Sequence, residues 1–223
     1  MKTLKQLALL PLFFGLVLTT ACSENENGYE NGNNGGDERP PFNRTITAVV
    51  ENGNNYNDLI SKVAITLWAD GTRHTIATGT WANGGFTTTL PETIGTELLH
   101  TFNILPQDVN ISDASARGIE IDINAYDEQQ RSRGSIAYRT ADWRSQMTLL
   151  YVDRDVTVTG TQPLFDDTHD GQIPNGRYTI WNLQLRAGWN RMYFIVKDEQ
   201  TNYVSTEPIS GLRWHFHYYG AEN

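Results

Sequence analysis

The sequence predicts an all-β protein, and three observations support this fold class. Apolar and polar residues alternate with a period of two along most of the chain, which is typical of half-buried strands. Turn-forming clusters, such as DGT at 70–72 and NGG at 83–85, separate these runs and are typical of hairpins. Helix-period patterns are almost absent. We therefore expect an antiparallel β-sandwich or a barrel-like sheet of about eleven strands.

The segment 45–110 is predicted to form an N-terminal β half. Its tight turns suggest half of an immunoglobulin- or transthyretin-like sandwich. Residues 92–102 contain the only stretch for which we expect a helical turn. The predicted strands of this half are 45–52, 62–69, 73–81 and 86–91.

The segment 111–223 is predicted to form a C-terminal β half, which shares one core with the first half or has its own. In its first strand, isoleucines 119, 121 and 123 are expected to face inward, whereas Glu120, Asp122 and Asn124 face solvent. The predicted strands are 118–126, 134–140, 146–153, 155–160, 177–186, 189–198 and 212–219. We find no fixed-period repeat.

The N-terminus resembles a bacterial lipoprotein signal. Lys2 and Lys5 precede an apolar run at 7–18, which is shorter than the roughly 20 residues of a membrane-spanning helix. Small residues follow and lead to Cys22, the only cysteine. This order predicts a signal peptide over 1–21 and a lipid attached to Cys22. The alternative is an ordinary secreted protein in which the cysteine is incidental.

The segment 22–44 is predicted to be a disordered acidic tether behind the lipidated cysteine. Residues 23–39 contain five acidic residues, one arginine and no aliphatic residue, so they cannot offset their ordering entropy by burial. The acidic patch behind Cys22 resembles the signal that sends Bacteroidota lipoproteins to the outer face of the outer membrane. We expect a lipid-anchored protein facing the cell exterior, without a transmembrane helix.

The charge balance limits the classes of partner. The chain has 17 basic and 26 acidic residues. Removal of Lys2 and Lys5 with the signal peptide leaves 15 basic residues and a net charge near −11. Such a chain lacks the basic patch that nucleic acids or anionic lipid headgroups require. We expect the membrane to be contacted through the lipid alone.

Four stretches resemble a group of uncharacterised lipoproteins of gut Bacteroidota. They are WANGGFTTTLP (81–91), YVDRDVTVTGT (151–161), LRAGWNRMYF (185–194) and GLRWHFHY (211–218). The resemblance covers about residues 45–219 and implies a cell-surface location and an all-β fold. It implies no activity and no catalytic residue.

Two patterns could bind metal. Asp166, Thr168 and Asp170 precede a glycine at the spacing of a calcium loop. The twelfth position is Arg177 rather than glutamate, which excludes an EF-hand but leaves open a looser calcium site or a plain acidic loop. His215 and His217 lie two apart in a predicted strand. They either bind zinc with a third ligand or form a polar face.

The sequence favours binding over catalysis. It contains no GxSxG motif, no nucleophilic cysteine and no phosphate-binding loop, so we expect no enzyme and no cofactor besides the lipid. Trp81, Trp143 and Trp181 are the candidate ligand-binding residues, because exposed indoles stack on sugar rings. The expected function is a surface binding module for a glycan or a surface protein. A structural or adhesive, pilus-associated protein and a metal-dependent hydrolase remain alternatives.

Overall fold

Fifteen β-strands make up one large mixed sheet in the computed structural model, which describes residues 42–102, 108–163 and 177–220. The all-β prediction is confirmed, and the sheet does not close into a barrel. Two short 3-10 helices, Gly53–Tyr56 and Thr96–Leu98, complete the described elements. The strands are β1 (Thr45–Val49), β2 (Lys62–Ala69), β3 (Thr72–Ala82), β4 (Gly85–Thr89), β5 (His100–Thr101), β6 (Val109–Ile111), β7 (Arg117–Glu120), β8 (Asp122–Tyr126), β9 (Ser132–Arg139), β10 (Ser145–Val152), β11 (Val156–Pro163), β12 (Tyr178–Leu185), β13 (Gly188–Val196), β14 (Thr201–Ser205) and β15 (Arg213–Tyr218).

The main path of the sheet runs β1-β4-β3-β2-β8-β9-β10-β13-β14-β12-β11-β6. β15 adds to β9, β7 adds to β10, and β5 adds to β7. Among the described strands, only β12 and β14 pair in parallel. The β2–β8 pairing joins the two halves of the chain, and residues Pro40–Asn223 belong to one compact unit.

The predicted strand 118–126 is two strands that separate at Ile121. β7 pairs with β10 and β5, whereas β8 pairs with β2 and β9. Ile121 itself donates its backbone N–H to the carbonyl oxygen of Leu149, at 3.1 Å. The alternating pattern continues through this change of partner, so the sequence gives no sign of it.

Three strands were not predicted, and their sequences explain why. β5 has two residues and β6 has three, too few for alternation to be recognised. β14 reads TNYVS and is largely polar. Each obtains its strand conformation by pairing with a neighbour, which is a tertiary effect on a weak local signal.

Two hydrophobic clusters form on opposite faces of the central strands. The first cluster joins β1–β4 to Ile121, Ile123 and Trp189. The second cluster is built mainly on β10–β13 and includes Val158, Leu183 and Met192. Successive residues of β10 alternate between them: Leu149 and Tyr151 lie in the first, Leu150 and Val152 in the second. This follows from the period of two of an extended chain, and it places β10 between both cores.

In the part of the chain that the structure describes, none of the helices has the length and apolar character needed to cross a membrane.

Candidate functional site

A cavity of about 400 Å³ opens beside the second cluster. Its walls come from β2, β5, β7, β8 and the strands β10–β13, so residues distant in sequence meet there. Most of the lining is apolar, and two carboxylates and one imidazole are its ionisable groups. The lining side chains that matter for ligand chemistry are Trp68, His100, Phe102, Glu120, Asp122 and Trp181.

The pairing register of β7 and β8 places the two carboxylates in the lining of the cavity. Glu120 lies opposite Leu150 of β10, a member of the second cluster. Asp122 lies opposite Thr66 of β2. Both side chains therefore occupy the sheet face away from Ile121, as alternation requires. They were expected to face solvent. Both are exposed, but the face on which they lie forms a cavity wall rather than a free surface.

The next residue on that face, Asn124, corrects the sequence prediction. It was expected to be exposed, yet it is only 2% exposed. Its side-chain amide donates to the hydroxyl of Thr66 at 2.9 Å, and Thr66 is itself fully buried. A buried amide is tolerated only with such a partner. The strand face thus passes from the open cavity at Glu120 to closed packing at Asn124.

Burial raises the pKa of Glu120 above its ordinary value, and the nearby Asp122 carboxylate raises it further. Although the side chain is exposed to solvent, the cavity wall removes part of the water that would stabilise its charge. No Lys or Arg lines the cavity, and within the described ranges neither carboxylate forms an ion pair. Negative charge is therefore concentrated at this wall without a countercharge from its lining.

Three aromatic side chains also line the cavity. Trp68 is 57% exposed, and its backbone carbonyl oxygen lies 3.2 Å from Nε2 of His100. Trp181 is half-buried against the second cluster, and its indole N–H donates to Oε1 of Gln162 at 3.1 Å. The ring of Phe102 approaches Gly118 so closely that a Cβ there would lie 2.9 Å from Cζ. The absence of a side chain at Gly118 makes room for this ring.

This arrangement can perform two kinds of recognition. Aromatic faces stack on sugar rings or attract cations, and carboxylates accept hydrogen bonds from hydroxyl or ammonium groups. A carboxyl with raised pKa beside a second carboxylate is also the pairing that acid–base hydrolysis uses. Apolar cavities with a few convergent polar groups and a perturbed pKa are typical of ligand sites.

Sequence reasoning identified one wall of the cavity and missed the others. Trp181 was a candidate and lines it. Trp68 lies between the inward positions of β2, so a large aromatic on the outward face was a usable signal. Glu120 and Asp122 were interpreted as solvated acids, and no local pattern distinguishes the two cases.

The other two candidate tryptophans lie elsewhere. Trp81 is 5% exposed within the first cluster, and its indole N–H donates to Oδ1 of Asn57 at 3.0 Å. It therefore presents no open face to a ligand and instead packs in the interior as a large apolar residue. Trp143 is 54% exposed and stacks on the guanidinium of Arg139 at 3.4 Å. It does not line the cavity.

Among the residues that the structure describes, the histidine pair meets no third ligand. His215 is half-buried, and its Nε2 is enclosed without a hydrogen-bond partner. Burial and the charge of Arg139 lower its pKa. His217 is exposed and packs edge-on against Trp143. Over the ranges described, no group of three or more His, Cys, Asp or Glu could hold a metal ion.

The remaining predicted features lie outside the described residues. These are the signal peptide, the lipidation site Cys22, most of the tether and the loop with Asp166, Thr168 and Asp170. Comparison of the chain with family models, with curated proteins and with solved structures gave no match.

Proposed function

We propose that this protein is a lipid-anchored surface protein that binds a saccharide in the cavity lined by Trp68 and Trp181. The observation that carries the proposal is the cavity itself, which combines aromatic faces with two carboxylates. Sugars present apolar faces and a rim of hydroxyl groups. Indole rings complement the faces, and carboxylates accept hydrogen bonds from the hydroxyls.

The anchor in this proposal is a lipid on Cys22, supported by the basic start, the short apolar run and the small residues before the cysteine. Lipid attachment would hold the β-sheet unit at the outer membrane, facing the exterior. When the full chain is expressed in a bacterium that lipidates such signals, it should enter the detergent phase in a detergent phase-separation assay. Cys22→Ser should move it to the aqueous phase, because the acyl chains are lost. Equal partitioning of both chains would contradict the anchor.

Calorimetric titration of the full chain with a panel of soluble oligosaccharides tests the binding proposal. Trp68→Ala and Trp181→Ala should each weaken binding about tenfold or more, equivalent to about 1.4 kcal/mol. Trp143→Ala is the matched control, because this indole is as exposed as Trp68 but lies outside the cavity lining. Its affinity should equal that of the wild type.

Three outcomes decide the proposal. Loss of affinity only at the cavity tryptophans supports it. Loss only in Trp143→Ala would move the site to the surface beside Arg139. Release of shorter sugars during incubation, abolished by Glu120→Gln, would replace binding with hydrolysis by the carboxylate pair.

A further inference from the structure

The lining of the cavity carries negative charge, and a neutral sugar would leave this charge without a positive partner. Its lining contains two carboxylates and no Lys or Arg. Elsewhere the chain pairs its less exposed acids with arginine: Asp127 accepts from Arg131 and Arg133, and Asp153 pairs with Arg154. Glu120 and Asp122 are more exposed than these paired acids, and they differ from a free surface pair because they share a strand face that lines a cavity.

The walls around these carboxylates suit an organic cation. Trp68, Phe102 and Trp181 supply aromatic faces, whose negative potential attracts ammonium groups. The buried apolar side chains Leu150, Val158 and Leu183 also line the cavity, and an apolar lining strengthens charge interactions. An inorganic ion would gain from the carboxylates but leave the aromatic and apolar surfaces unoccupied.

We infer that the preferred ligand carries a free ammonium group on an apolar or ring-shaped body, with the ammonium between Glu120 and Asp122 and the body against Trp68 and Trp181. This inference rests on the proposed function, and it narrows the saccharide to an amino sugar. The same chemistry also occurs in simple alkyl and aryl amines, so the test must separate the two sources.

The charge state of the wall supports a cationic ligand. Burial and the neighbouring Asp122 raise the pKa of Glu120, which means that its negative charge is destabilised in the empty cavity. An ammonium group would reverse this effect by favouring the ionised form. His100 is the third ionisable group of the lining, and its Nε2 lies 3.2 Å from the backbone carbonyl oxygen of Trp68. Ammonium binding should therefore weaken as pH falls and Glu120 becomes protonated.

The experiment titrates the full chain with glucosamine oligomers, with their N-acetylated counterparts, and with phenethylammonium. The first two differ in charge but share the ring, and the third has the charge without the sugar. We expect the free-amine oligomer to bind at least about tenfold more tightly than the acetylated one. The preference should shrink with added salt, because it is electrostatic.

Substitutions of the carboxylates and of Trp68 distinguish the contribution of charge to the affinity from that of stacking. Glu120→Gln and Asp122→Asn should each weaken free-amine binding about tenfold and weaken binding of the acetylated oligomer much less, because only the free amine loses an opposite charge. Glu128→Gln is the matched control, since Glu128 is an exposed acid outside the cavity lining. Trp68→Ala should weaken both oligomers.

The outcomes distinguish this inference from the proposed function. Equal affinity for the free and acetylated oligomers would overturn the ammonium inference and leave saccharide binding intact. Tight phenethylammonium binding without oligomer binding would support the ammonium site and overturn the saccharide proposal. Binding of none of the three ligands would overturn both.

Discussion

At the residue scale, Glu120 is held in the cavity at a cost to stability. Its folded-state pKa is raised, so the folded protein holds the proton of Glu120 more tightly than the unfolded chain does. The penalty is absent below the unfolded value near 4.5 and grows as pH rises through the folded-state pKa. Glu120→Gln should therefore raise the Tm at about pH 7 and leave it unchanged at about pH 3.5, below the ordinary glutamate pKa. Thermal unfolding at both values, with Glu128→Gln as control, measures this. A lower Tm for Glu120→Gln at neutral pH would contradict it.

At Asp127, also at the residue scale, folding shifts the pKa in the opposite direction. Burial alone would raise its pKa, but hydrogen bonds from Arg131 and Arg133, at 2.6–2.9 Å, lower it to about 2. A depressed folded pKa stabilises the protein above the unfolded value near 3.8, and this stabilisation is lost as pH falls toward about 2. Asp127→Asn should lower the Tm at neutral pH. The difference from wild type should shrink between about pH 4 and about pH 2 in a series of melts; a constant difference would show that charge is not the cause.

At the element scale, Asn57 ties the β3–β4 turn to the segment after β1. Its Oδ1 accepts from the indole N–H of Trp81 and from the backbone N–H of Gly84, both at 3.0 Å. Asn57→Ala would leave the buried indole donor without a partner and should lower the free energy of unfolding by about 1–3 kcal/mol. Denaturant unfolding measures this loss. Asn55→Ala, at an exposed position in the 3-10 helix that ends just before Asn57, should be near neutral; an equal loss there would assign the effect to the helix.

The same turn shows why glycine is needed where two backbones meet. Gly84 has a φ of +75°, and a Cβ at Gly53 would overlap the Gly84 carbonyl oxygen. The NGG cluster predicted this turn from sequence, but the approach of the segment after β1 depends on tertiary packing. The register shifts opposite Ile65/Thr66 and Ala125/Tyr126, which leave one extra residue in β3 and one in β9, are likewise positions that alternation alone does not reveal.

At the scale of the whole molecule, the first cluster depends on both halves of the chain. Residues of β1–β4 pack in it with Ile123, Ile136, Tyr151 and Trp189, and β2 pairs with β8 along five residues. A fragment ending at residue 110 should therefore lack a cooperative thermal transition, because its inner surface has no cover. Circular dichroism melts of this fragment and of the full chain test the prediction. A sharp transition in the fragment would show that the N-terminal half folds alone.

Local sequence patterns determined most of the strands, the turns and several residue roles. The alternation located eleven strand segments, and the DGT and NGG clusters marked turns at which Gly71 and Gly84 have positive φ. These features are local because side-chain direction and backbone handedness depend on a few adjacent residues. The proposed lipid anchor also rests on a local motif, the one that ends at Cys22.

Only the tertiary structure determined which strand face contacts water and which strand face lines a cavity. Alternation places Glu120 and Asp122 on the strand face that points away from the isoleucines. It does not predict which residues surround the two carboxylates on that face. The answer depends on strands far away in sequence, which bring Trp181, Leu183 and Met192 to the same side. Long-range pairing is set by the burial of whole faces rather than by local pattern. The strand faces were therefore predictable from the sequence, whereas the candidate site required the fold.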